Sequence, residues 1–379
     1  MGTIYIDSNG FFWPSDISNE YMHDQRKGIS FEKNNQPVSV LFEQYYLGFR
    51  SSMLICEDEL NKEDGMKLLK EWRKSCVKMA IDYTNKHLSS EESLPVDFLW
   101  IMKMSIVNLL KYEYPDAEKI PLVLTMKPLT SAYAKNRNTI VFPALVRSLL
   151  NHCNLVLLNQ AYYVLDNKEN KIDRRYLSRF ILPYLIFCHD DISVMHLPII
   201  GGYSDDVITT AFNFTNLQVM FILAHEYAHI LLNHFDTDNE SKTNGMKENQ
   251  ADAFALKVVL QLVENEDTSA KTNVFTAIRW LFKFQLLEET VGRLVRGDVL
   301  NGSISQYEER RSSFQKELIF NYKLTKTSLV DAIGFAAIVE LQGVLSEYGV
   351  KLTNTIIQAF HDSKNKGEIE PWWEMITQK

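Results

Sequence analysis

The sequence predicts a mostly α-helical α+β protein with one small sheet. Apolar residues recur at three- and four-residue steps over long stretches, the spacing of amphipathic helices. Two short β-branched or apolar runs, Pro121–Met126 and Asn138–Phe142, are bounded by Pro and Asn and predict strands. The 379 residues are 46% hydrophobic and 12% aromatic, enough for a sizeable buried core.

In chain order, residues 1–40 mix turn formers with aromatics and predict irregular structure. Met66, Leu69, Trp72, Cys76, Met79 and Tyr83 place a helix over Glu63–Lys86, and a second helix covers Val96–Tyr112, stopped by Pro115. After the two strands, Pro143 is expected in the first turn of a helix running through Leu145 and Leu149 to about Tyr163. Asp166–Arg175 predicts a charged turn. An apolar run then leads to a polar cluster of His189, Asp190, Asp191 and His196, and Gly201-Gly202 is a break. Ser204 or Asp205 caps a long helix to about His234, and a polar loop follows to Gly245. A further helix spans Lys247–Val263. Beyond Lys271 the chain is again helical, with a polar gap at Asn301–Gln306 and an aromatic tail at Trp372-Trp373. No linker is evident. The chain therefore divides into a helical N-terminal region (1–120), a core (121–265) and a helical C-terminal region (266–379) within one compact unit.

Charge and cysteine usage exclude several function classes. Asp and Glu number 48 against 40 Lys and Arg, a net charge of −8 with no basic stripe, so no nucleic-acid partner is expected. The four cysteines lie far apart without CxxC spacing and are expected as reduced thiols. The first residues have neither a basic nor an apolar leader segment. Val207–His225 lacks Asp, Glu, Lys and Arg and is long enough to span a bilayer. It carries Thr209, Thr210, Asn213, Thr215, Asn216 and Gln218, however, and runs straight into Glu226, so a buried or amphipathic helix is expected. No membrane association and a cytoplasmic location follow as expectations.

One constellation carries chemistry: His225-Glu226-Tyr227-Ala228-His229, followed by Glu248-Asn-Gln-Ala-Asp252. Residues i and i+4 of a helix share a face, so His225 and His229 can offer two imidazole nitrogens to one ion. Glu226 projects to the edge of the same site, where it can hold a water and take its proton. A catalytic zinc normally has three protein ligands. Glu248, 19 residues after His229 at the start of a second helix, is the best third candidate. Asp252 lies one turn later, placed to accept the free ring N–H of His225 and fix its tautomer. His234, five residues past His229, falls off that face on a continuous helix and is expected at the surface. Tyr307, Arg310, Arg311, His189 and His196 are each candidates to donate to an oxyanion.

These residues, with the apolar flanks Phe221–Ala224 and Ile230–Leu232, resemble the gluzincin class of zinc metallopeptidases. The closest likeness is to the bacterial antirepressor (ImmA/IrrE-type) group and the CAAX-prenyl-protease-like group. The resemblance covers about Pro121 to Ala255, most firmly Phe221 to Ala255. A metzincin pattern is excluded, because Leu232 and Phe235 stand where it needs Gly and His. The resemblance implies a zincin-like core, Zn2+ held by His225, His229 and Glu248, and Glu226 as general base. It also implies a strand along which a peptide substrate pairs, for which Asn138–Phe142 and Pro121–Met126 are candidates. The membrane helices and the His-Pro…Arg segment of many relatives are missing; Ser305–Arg311 is the nearest counterpart of the latter. The function implied is a cytoplasmic zinc metalloendopeptidase acting on a protein or peptide, with extra helical regions suited to narrow specificity. The alternatives are a protease-like sensor or interaction protein in a regulatory or phage-defence setting, and a zinc hydrolase with a non-peptide substrate.

Overall fold

The computed structural model describes residues 98–120, 122–125, 132–135, 139–167, 171–189, 203–235, 243–265, 268–298, 306–322 and 328–366, together with four short N-terminal strands. The helix expected over Glu63–Lys86, His196 and the Trp372-Trp373 tail lie outside the described residues.

Residues 1–40 are not wholly irregular. β1 (Ile4–Ile6) pairs antiparallel with β2 (Phe12–Pro14), and β3 (Glu32–Lys33) with β4 (Gln36–Pro37). The turn formers Ser8-Asn-Gly10 fall between the first pair. Then come α1 (Phe98–Leu110), a 3-10 turn at Pro115–Lys119, β5 (Leu122–Thr125), β6 (Tyr133–Lys135) and β7 (Thr139–Pro143). The remaining elements are α2 (Ala144–Asn167), α3 (Arg174–Phe187), α4 (Asp205–Leu231), α5 (Asn244–Leu262), α6 (Thr268–Val295), α7 (Gln306–Tyr322) and α8 (Leu329–Lys366).

The three-stranded sheet has the order β5-β7-β6, with β5 parallel and β6 antiparallel to β7. Ile140, Val141 and Phe142 are buried in the central strand. Pro143 closes that strand opposite Thr125, rather than entering α2 as expected; lacking an N–H, it can only end a ladder. The charged stretch expected as a turn separates α2, which ends at Asn167, from α3, which starts at Arg174, where the Asp173 carboxylate accepts the Tyr176 N–H at 3.0 Å.

α4 is the central helix, packed most extensively against α5 and α2, then α6, with β6 and β7 on its flank. By length and composition α4 and Leu329–Ala359 of α8 could each cross a membrane. Thr215 and Gln218 of α4 are bonded inside the bundle, while Thr209 and Asn213 are exposed. Asn154 donates to Thr215 at 2.9 Å and to Gln218 at 2.8 Å, and Gln218 donates to the Ala277 carbonyl at 2.9 Å. Each buried amide or hydroxyl thus keeps a partner that an apolar core would deny it. α6 and α8 meet where Trp280 lies flat on Gly334: a Cβ there would fall 1.9 Å from the indole, so only glycine fits. α8 breaks at Gly349, whose φ of 41° favours glycine.

Candidate metal centre

The site is built on an uninterrupted α4. The Ser204 hydroxyl accepts the Val207 N–H, and Asp205 and Asp206 in the first turn suit the helix dipole. His225 and His229 stand near the other end, one turn apart, with their Nε2 atoms 3.0 Å from each other. α5 opens on Thr243, whose hydroxyl accepts the Met246 N–H at 3.3 Å. Its next turn brings Glu248 across from both histidines: Oε2 is 3.3 Å from His225 Nε2, and Oε1 is 3.3 Å from His229 Nε2. Donors 2.0–2.1 Å from a tetrahedral zinc lie about 3.3 Å from one another. The donor set and its spacing could therefore hold a single metal ion.

Each histidine is also gripped at its other ring nitrogen. On the His225 side, Nδ1 faces Asp252 Oδ1 at 2.9 Å. Arg310, from α7, donates to both Asp252 oxygens at 2.8 and 2.7 Å and reaches Glu248 Oε2 at 3.2 Å. Its guanidinium sits over the Phe282 ring, 5.4 Å from the centroid. On the His229 side, Nδ1 lies 3.0 Å from His234 Nδ1. With His229 Nε2 turned to the ligand set, its Nδ1–H donates and His234 accepts. His234 is therefore not the surface residue expected: it is 2% exposed. α4 ends at Leu231, Asn233 adopts a left-handed φ of 55°, and the His234 N–H bonds back to the His229 carbonyl at 3.0 Å. This helix-terminating reversal returns His234 to the ligand face. Lys247 Nζ then ties the His234 carbonyl to α5 at 2.7 Å.

Glu226 is buried beside the ligands and accepts the backbone N–H of Ala134 in β6. Burial pushes its carboxyl pKa above the usual range, with His225 and His229 pulling the other way. Burial opposes a charged His225, but Asp252 and Glu248 outweigh it and lift its pKa to about 9 in the metal-free protein. Burial equally opposes ionisation of Glu248 and Asp252. Hydrogen bonds from His225 and His229 hold Glu248 low, and the Arg310 charge holds Asp252 low. The carboxylates are thus ready as anionic donors.

A cavity of about 290 Å³ opens onto His225, Glu226, His229 and Glu248. Tyr133 and Ala134 of β6 line it, together with Phe221, Ile222, Phe235 and Arg310. The strand beside the site is thus β6. β7 is paired on both edges, so Asn138–Phe142 has no edge to offer a peptide, and β5 lies at the far side of the sheet.

The structure brings His225, Glu226, His229, Glu248 and Asp252 into one cluster, with Arg310 joining them from α7. Arg311 turns away toward Gln315 and Phe335, and His189 pairs with Glu288 at 2.7 Å. The Tyr307 side chain lies outside the described residues. Sequence reasoning missed His234; the signal for it was Asn233, a residue type that tolerates the left-handed turn ending a helix.

Residues 200–293 match the family model described as Peptidase U49, which supports a peptidase. The matched segment contains the two histidines, Glu226, Glu248 and Asp252, and stops short of Arg310. Neither the curated proteins nor the solved structures contain a significant match to the chain.

Proposed function

We propose that the chain is a zinc-dependent endopeptidase of gluzincin type, with His225, His229 and Glu248 as metal ligands and Glu226 as general base. The observation that carries this reading is the convergence of two Nε2 atoms and one carboxylate, 3.0–3.3 Å apart, beside a buried Glu226 at the mouth of a cavity. A zinc ion held there would supply Lewis acidity, lowering the pKa of water toward neutrality and polarising the scissile carbonyl.

The protein's own groups do the rest. Glu226 takes the proton of the attacking water and passes it to the leaving amine. Asp252 and His234 hold the two imidazoles in the tautomer that points Nε2 at the ligand set. An extended peptide lies along β6 as an added strand, adjoining Glu226. The substrate is a protein or peptide. Cytoplasmic action accords with the free thiols of Cys153 and Cys188.

Glu226→Gln tests the mechanism. The purified protein is incubated with a whole-cell extract and new N-termini are mapped. The wild type should generate them, while Glu226→Gln keeps its zinc and generates them about 100- to 10,000-fold more slowly. Equal rates would remove Glu226 from the mechanism.

A further inference from the structure

β6 is an outer strand of the three-stranded sheet, and it lines the cavity of the metal centre. Tyr133 stands opposite Val141 of β7, Ala134 opposite Ile140, and Lys135 opposite Thr139. Along an antiparallel pair, residues that exchange backbone hydrogen bonds alternate with residues that turn those groups outward. The Ala134 N–H goes to the Glu226 carboxylate and not to β7. Ala134 is therefore the outward-turned position, and Tyr133 and Lys135 are the ones that bond β7. The Ala134 side chain packs on the core, across from Ile140, which is fully buried. The strand is thus fixed with its one outward N–H directed at α4.

Glu226 is 7% exposed, and among the described residues Ala134 is the one group that hydrogen-bonds its carboxylate. The neighbouring imidazoles spend their nitrogens elsewhere, on each other, Glu248, Asp252 and His234. A buried carboxylate needs a donor, and a general base needs a fixed place within hydrogen-bond reach of the proton it takes. The Ala134 N–H meets both needs. On the basis of the peptidase reading above, we infer that Ala134 is a positioning residue, acting through its backbone. Its N–H holds one oxygen of Glu226 at the sheet edge and leaves the other for the proton of the attacking water. The same bond sets what β6 offers a substrate. Its outward N–H is taken, so a peptide lying on β6 pairs through the Ala134 carbonyl, which turns outward with the N–H. Losing this N–H therefore slows turnover and leaves substrate binding alone.

Two measurements on the zinc-loaded full chain test this. The first is hydrogen exchange at the Ala134 amide, followed by NMR in protein labelled with nitrogen-15 alanine. The signal is identified by its loss in Ala134→Gly. Glu226→Ala should speed exchange of this amide about tenfold, the loss of one hydrogen bond, and leave that of Ala161 in α2 unchanged. The second is the kinetics of Ala134→Pro on a peptide spanning a cleavage site mapped in the cell extract. Proline suits an edge position whose N–H faces away from the sheet. We expect kcat to fall about 10- to 100-fold, with KM and zinc content near those of the wild type. Replacing the amide at position 134 by an ester removes the N–H alone, and gives the same result if the proline variant misfolds. Unchanged exchange in Glu226→Ala, or unchanged kcat in a zinc-loaded variant, overturns the role of Ala134 and leaves the peptidase reading intact. A raised KM at unchanged kcat also overturns it, and assigns the N–H to the substrate. A zinc-loaded wild type that cleaves nothing in the extract overturns both.

Discussion

The two histidines of the centre stand one turn apart and face the same point, yet they are held in different ways. His225 is held from afar: Asp252 comes from α5, and Arg310, 85 residues from His225 in sequence, locks Asp252 from α7. His229 is held locally, by His234 folded back through the turn at Asn233. The difference teaches that one histidine depends on how the helices of the bundle dock, and the other on how a single helix ends. The His225 side is ionic and buried, and the His229 side is a contact between two imidazole rings.

The largest effect is expected where the distant support is cut. Arg310→Met leaves Asp252, with a 5% exposed side chain, as a buried anion whose remaining ring partner is His225 Nδ1 at 2.9 Å. We expect a loss of about 3–5 kcal/mol in stability, read from the denaturation midpoint, together with weakened zinc binding. An effect below about 1 kcal/mol would mean that α7 is not an integral part of the site. Next comes Asp252→Asn, which keeps the shape but not the charge. Zinc affinity, measured by competition with a chelator, should fall about 10- to 100-fold. His234→Ala sharpens the contrast: about tenfold in zinc affinity and little change in the α7 contacts. If His234→Ala cost more zinc affinity than Asp252→Asn, the ranking of the two sides would be reversed. Smallest is Asn233→Gly. Glycine adopts a φ of 55° freely, so stability should stay within about 0.5 kcal/mol, whereas Asn233→Val should cost about 1–2 kcal/mol and also loosen zinc. Thermal unfolding of the pair checks this.

The same contrast explains what was legible in the sequence. α4 was visible from its apolar spacing and the cap at Ser204, and α5 from its spacing alone, its start being expected at Lys247 where Thr243 in fact caps a helix from Asn244. Asp252 was visible because helical periodicity places it one turn beyond Glu248. His234 was misread because periodicity was extended through a helix that ends at Leu231. Arg310 appeared only as one candidate among several, since nothing local announces a pairing made by the docking of α7. β6 escaped notice for a similar reason: three residues are too few for an alternation pattern, and only pairing with β7 makes them a strand. α3 was read only as an apolar run after a charged turn, with no helix assigned to it; Pro183 stands inside it.

The central claim is that His225, His229 and Glu248 together hold one zinc ion. The most direct test is elemental mass spectrometry of the purified wild type beside Glu248→Ala, each reconstituted with zinc and then dialysed. The account predicts about one zinc per chain in the wild type and much less in the variant. Zinc retained by Glu248→Ala at the wild-type level would place the third ligand elsewhere. A wild type that takes up no zinc would contradict the metal centre itself.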